Sequence, residues 1–235
     1  MKAALLYSNF LDYDGEQLKI GGIQTYLQKL ASVFLAMDIA PTIYQWSNKP
    51  FTRDVEGVSV VGVPVMHMAY GKRAKSIYEF ALNSADKQRD IIVFGSENQS
   101  VKTENKRAIS IQHGIGWDLP NRFVTQHKFL HDGFAGRLYK AWVRRKNIRF
   151  FEQCPNRVCV DYNFLNWYKT YLPSDYQGKI WTIPNFTEIA KREQLDVYRS
   201  DGKLKILFAR RFCEFRGTRI MAEAAKTILA RHQKI

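Results

Sequence analysis

A chain of 235 residues, 46% of them apolar, has room for one or two domains with a substantial core. Its apolar runs are too short for a helix to cross a bilayer and no segment repeats, so membrane-spanning helices and repeat architectures are not expected. The charge is lopsided: 36 Lys and Arg face 22 Asp and Glu, a net +14. This balance attracts polyanions and leaves nucleic acid, anionic lipid and sugar nucleotides as candidate partners.

Cys154, Cys159 and Cys213 show no metal or redox spacing and read as reduced thiols of a cytoplasmic protein. Met1-Lys2 precedes an apolar run that Ser8, Asn9 and Asp12 soon end, so Ala3–Ser8 is expected as a buried first strand rather than a secretion signal. Gly21-Gly22 follows, then Ile23, Tyr26, Leu27, Leu30, Ala31 and Phe34 at helical spacing. Strand, glycine pair and helix open a nucleotide-binding βαβ unit, although the GxGxxG dinucleotide pattern is absent. Pro41–Trp46 and Val58–Val65 read as strands joined by a polar loop containing Pro50 and Gly57. Ala74, Ile77, Tyr78 and Ala81 predict a helix over Lys72–Asn83, and Asp90–Gly95 another buried strand. The alternation implies an α/β fold with a parallel, doubly wound, Rossmann-like sheet.

Ile109–Gln112 is a further strand with His113-Gly114 at its carboxyl end, the edge at which ligands bind in open α/β sheets. Gly114 and Gly116 leave room for close backbone approach. A histidine here, with a pKa near neutrality, can bond a hydroxyl and assist proton movement. The remaining histidines show no metal spacing, and no metal site is expected.

Phe129–Phe151 is the densest basic and aromatic segment. Phe134, Leu138, Ala141, Trp142 and Ile148 are expected on one helix face, with Arg137, Lys140 and Arg144 sharing another. Such a helix reads as a membrane-surface contact through Arg137, Lys140, Trp142 and Arg144. The competing reading is a core-packed helix with a solvated charged back. Single-stranded nucleic acid has no RRM, KH or helix-turn-helix pattern behind it and is not expected as a partner. Arg157–Asp161 reads as a strand, Phe164–Tyr171 as a helix, and Trp181–Phe186 as an element ended by Pro184. Polar Glu188–Lys203 reads as a linker. Ile206–Ala209 is expected as a buried strand, followed by a turn and a helix through Ile220, Met221, Ala224, Ala225, Ile228 and Leu229. Arg211 and Arg216 flank that turn. Two guanidiniums beside a helix N-terminus suit a phosphate or diphosphate.

In their order and spacing these motifs resemble the glycosyltransferase family 4 (group 1) enzymes of the GT-B fold. The resemblance implies that Arg211 and Arg216 hold the diphosphate of a nucleotide sugar, with Arg216 in place of the usual Lys and Arg210 where Gly is usual. It implies that Gly21 and Gly22 admit the donor phosphates or the acceptor, and that His113 faces the donor sugar as the catalytic-centre residue. Ile183-Pro184-Asn185 resembles the element that ends the first domain, with Phe186 replacing the usual Gly. The organisation so implied is an acceptor-side Rossmann-like domain at 1–187, a linker at 188–203, and the first strand and helix of an incomplete donor domain at 204–235. The family's Glu-x7-Glu motif has no counterpart. The implied activity is sugar transfer, with retention, from a nucleotide-diphosphate sugar to a glycan or lipid-linked acceptor in surface polysaccharide synthesis. No metal or other cofactor is implied, and the location is cytoplasmic, peripheral at the inner face of the plasma membrane. The alternative is a catalytically inactive fragment acting as a basic membrane-surface or partner-binding module.

Overall fold

The computed structural model describes residues 1–84, 89–115, 119–172, 180–185, 206–209 and 212–231. The chain divides into two compact units, Met1–Phe186 and Thr187–Ile235.

The first unit runs β1 (Lys2–Tyr7), α1 (Gly22–Ala36), β2 (Ala40–Trp46), β3 (Phe51–Val55), β4 (Val58–Val63), α2 (Tyr70–Leu82), β5 (Ile91–Phe94), β6 (Ala108–Gln112), α3 (Gly133–Phe151), β7 (Asn156–Cys159), α4 (Tyr162–Lys169) and β8 (Ile180–Thr182). These strands form one sheet in the order β3-β4-β2-β1-β5-β6-β7-β8. All neighbours are parallel except β3 and β4. The mostly parallel sheet flanked by helices is an α/β, Rossmann-like arrangement.

β1 is the central strand and its alternation divides the core. Leu5 lies between Ile43 and Val93 in register, and all three are fully buried. Ala3, Leu5 and Tyr7 pack with Tyr26, Leu27, Ala31 and Phe34 of α1, whereas Ala4 and Leu6 pack with Ile77, Tyr78 and Ala81 of α2. The two helices therefore cover opposite faces, as the period-2 alternation of a strand dictates. α1 ends in a Schellman motif. Asp38 takes a left-handed conformation (φ 56°), its N–H bonds Leu35 O, and Ile39 N–H bonds Phe34 O. α4 is capped by Asp161, whose carboxylate accepts from Phe164 N–H at 2.8 Å.

Three expectations change. The polar segment after β2 contains strand β3, paired antiparallel with β4 through a two-residue turn. Glu56 and Gly57 both have positive φ (54° and 79°), the type I′ geometry that matches strand twist. Phe51 lies opposite Gly62, and its ring fills the space a Cβ there would need. Gly57→Ala should therefore cost about 1 kcal/mol, read as a lower denaturation midpoint.

Helix α3 departs from the core-packed reading, because the apolar face named for it is not the face that turns inward. Gly136 and Phe151 are buried and Val143 and Ile148 half-buried, while Phe134, Leu138 and Trp142 are exposed. In the second unit Ile206–Ala209 forms no strand, and Leu207 is 87% exposed. Among the described residues nothing pairs with it, and an apolar run becomes a strand only where a neighbour takes up its backbone groups. The helix predicted beyond it is α5 (Thr218–Arg231), which has no buried residue.

Candidate functional site

The chain leaves β1 through α1 toward β2 on one side, and β5 adjoins β1 on the other. This reversal of strand order leaves a crevice outside the carboxyl ends of β1 and β5. The residues that follow β1, β2, β5 and β6 gather along that edge.

His113 follows β6. Its ring meets the edge of Tyr26 on α1, with centroids 5.1 Å apart and planes at 86°. Its Nε2 is buried and has no hydrogen-bond partner among the described residues. Burial lowers the imidazole pKa to about 4, only partly opposed by the Gly95 backbone. The sequence alone suggested a pKa near neutrality. The buried ring is instead uncharged at pH 7, a hydrogen-bonding group rather than a cation. Next to it the Gln112 amide nitrogen donates to Gly114 O, and Gly114 sits at φ 111°, where a side chain is strained.

Glu97, which sequence reasoning missed, opens the 3-10 turn Glu97–Gln99 after β5. Its carboxyl accepts from the Ser96 hydroxyl at 3.3 Å, and the nearby His113 backbone N–H weakly favours the charged form. Burial dominates and pushes its pKa up to about 7. The available signal was positional: Glu97 is the first carboxylate after a buried strand.

Gly21 is the N-cap of α1, extended at φ −173° and without a side-chain cap, and the first turn of the helix carries no acidic residue. A side chain at Gly22 would meet nothing within 4 Å. Tyr26 lies about one helical turn beyond Gly22, so the open helix N-terminus and His113 belong to one neighbourhood. Neither glycine is required by backbone conformation; Gly22 supplies open space before an uncapped, partly positive helix end.

The same edge concentrates unsatisfied polar atoms. Trp46 Nε1, Ser47 Oγ, Gln99 Oε1, Gln112 Oε1 and His113 Nε2 are buried without a partner among the described residues, and all lie at or just beyond the carboxyl ends of β2, β5 and β6. Buried polar groups are normally paired, so such a concentration marks where a ligand or ordered water completes the bonding.

Arg216 is exposed in the 3-10 turn Glu214–Arg216 of the second unit, ahead of Gly217 at φ 81°. Arg211 falls outside the described residues, as do Arg210 and Gly116. On α3, Arg137 and Trp142 are exposed, whereas Lys140 and Arg144 are half-buried, and Lys140 Nζ donates to Leu119 O at 3.3 Å. Among the described residues no group of three or more His, Cys, Asp or Glu is placed to hold a metal ion. No helix there is long and apolar enough to cross a membrane. Comparison with known proteins finds no matching family model and no matching curated protein.

Proposed function

We propose that this chain belongs to a GT-B glycosyltransferase, moving a sugar with retention from a nucleotide-diphosphate donor to a glycan or lipid-linked acceptor. The observation that carries the reading is the buried, unpartnered Nε2 of His113, beside the open N-terminus of α1 at the strand-order reversal. A sugar hydroxyl bonded to that nitrogen would satisfy it. The uncapped helix end offers N–H donors for a phosphate oxygen. As the glycosidic bond breaks, charge develops on the leaving diphosphate, and the resemblance assigns Arg211 and Arg216 to that charge. In this reading the neutral imidazole positions the sugar and takes up no second proton at pH 7, because its pKa lies at about 4. The surface-polysaccharide role and the peripheral inner-membrane location belong to the same proposal. The exposed stripe Phe134, Leu138 and Trp142, with Arg137 beside it, supports a membrane contact that an inactive fragment would share.

The test is calorimetric binding and transfer with a panel of uridine and guanosine diphosphate hexoses, comparing the protein with His113→Ala and His113→Gln. Loss of roughly 100-fold in transfer is expected for His113→Ala, with partial rescue by Gln, which keeps a neutral hydrogen-bonding end. The pH profile should show no limb from His113 between pH 6 and 8. Full activity in His113→Ala, or no donor bound by the wild type, would sink the reading.

A further inference from the structure

A second cleft lies on the α2 face of the sheet, opposite the face covered by α1. Its floor is Trp46, which packs in the same core layer as Ile77 and Tyr78 of α2. Its walls come from α2, the turn after β5, and α3, and it encloses about 470 Å³. That volume falls within the range of small-molecule sites, roughly 300–1,000 Å³.

The lining has three chemical parts. Tyr70, Tyr139, Trp142 and Phe150 present aromatic surface. Trp46 meets Tyr70 edge-on (5.3 Å, 90°), and Tyr139 and Trp142 lie side by side on α3 (6.0 Å, 29°). Asn98, Gln99, Asn147 and Gln153 contribute amides. Lys75, Lys102 and Lys146 supply charge, and among the described residues no carboxylate lines the cleft. Lys146 Nζ stands 5.0 Å from the Trp142 ring centre and 5.7 Å from that of Phe150, while Lys75 has a surface partner in Glu79 at 3.6 Å. Two side chains of the lining hold polar atoms that are buried and unpaired: the indole Nε1 of Trp46, 3% exposed, and Oε1 of Gln99, 6% exposed. One is a donor and the other an acceptor.

We infer that this cleft binds a saccharide bearing an acidic group, a phosphate or a carboxylate. Aromatic faces suit the C–H faces of a pyranose, amides suit its hydroxyls, and three ammonium groups without a carboxylate select a negative charge. The aromatic pairs are edge-on or side by side and form no parallel slot for a nucleobase. This inference goes beyond the transfer reaction and stands whether or not the chain transfers sugar, because it uses neither His113 nor the α1 terminus.

Titration at low ionic strength with glucose 1-phosphate, glucuronate, glucose and inorganic phosphate, followed by calorimetry, tests it. At least one of the two acidic sugars should bind roughly tenfold more tightly than both glucose and inorganic phosphate, and which of them does identifies the acidic group. Trp142→Ala should weaken that binding about three- to tenfold through the lost ring surface. The double variant Lys102→Gln/Lys146→Gln should weaken it by a similar factor and erase the preference over glucose. All three positions are exposed, so folding is preserved, and His113→Ala should leave the binding unchanged. Four results overturn the inference: no acidic sugar saturating the protein; inorganic phosphate binding as tightly as the acidic sugars; insensitivity to Trp142→Ala; or tighter binding of oligouridylate with displacement of the sugar.

Discussion

Glu97→Gln should make the protein more stable at pH 8 and less tolerant of acid. The Glu97 carboxyl has an ordinary pKa of 4.5 and is pushed up to about 7 by burial, so between these values the folded chain holds a proton that the unfolded chain has released. Stability therefore falls as pH rises from about 4.5 to about 7, and above that the full cost, about 3 kcal/mol, persists. Glutamine is neutral throughout and keeps an oxygen for the Ser96 hydroxyl. Allowing for its new amide donors, the gain at pH 8 should be about 1–3 kcal/mol, or roughly 3–10 °C in melting temperature. His113 acts in the opposite sense. Its pKa is lowered from 6.5 to about 4, so stability contributed by the neutral ring is complete above pH 6.5 and is lost as pH falls toward 4. The two slopes oppose one another between about pH 4.5 and 6.5. Removing Glu97 leaves the histidine slope alone, and the melting temperature of the variant should fall more steeply over that window than that of the wild type. Thermal melts at pH 4.5, 5.5, 6.5 and 8 measure this. Superimposable profiles would mean that Glu97 is hydrated and ionised in the folded protein.

Phe164→Ala should cost about 3–5 kcal/mol. Phe164 is fully buried in a cluster with Phe151, Tyr168 and Cys159. Its ring meets Phe151 edge-on at 5.0 Å and stacks on Tyr168 at 5.6 Å. Tyr168 extends the cluster by donating its hydroxyl to the Glu152 carboxylate at 2.5 Å. One truncation thus removes the apolar contact that holds α3, α4 and β7 together and leaves Tyr168 with one ring face uncovered. Phe164→Leu, which keeps most of the volume, should cost less than half as much. Urea denaturation of the three proteins provides the comparison. A loss below about 1 kcal/mol for the alanine variant would show that the cluster collapses without consequence.

Much of the sheet was legible because its inner strands are buried on both faces. Leu5, Ile43, Val93 and Ile111 stand in short apolar runs, and Tyr26, Leu27, Ala31 and Phe34 repeat at helical spacing. β3 was not legible. Only Phe51 and Val55 of its residues are apolar, Pro50 precedes it, and the contact that anchors it is Phe51 over Gly62 across the hairpin. Ile206–Ala209 misled in the other direction: the composition of a strand is local, but its ladder is not. In α3 only the core-packed alternative is off, and by a rotation. Apolar residues lie around much of the helix, so periodicity could not select the face that Gly136 brings close to the Leu130 and His131 backbone. His113 was visible from the rule that strand ends carry function. Glu97, Gln99 and Trp46 were not, because the burial of a polar group arises only when separate segments meet.

The hairpin edge also governs how copies of this protein meet one another. β3 turns three successive exposed residues, Thr52, Arg53 and Asp54, toward solvent at the last rung of the sheet. A neighbouring molecule that tried to add a strand there would set an Arg and an Asp against its own backbone and desolvate both. At this margin the cross-β growth that open sheets invite is checked by the side chains themselves, and the +14 charge of the chain adds mutual repulsion between copies.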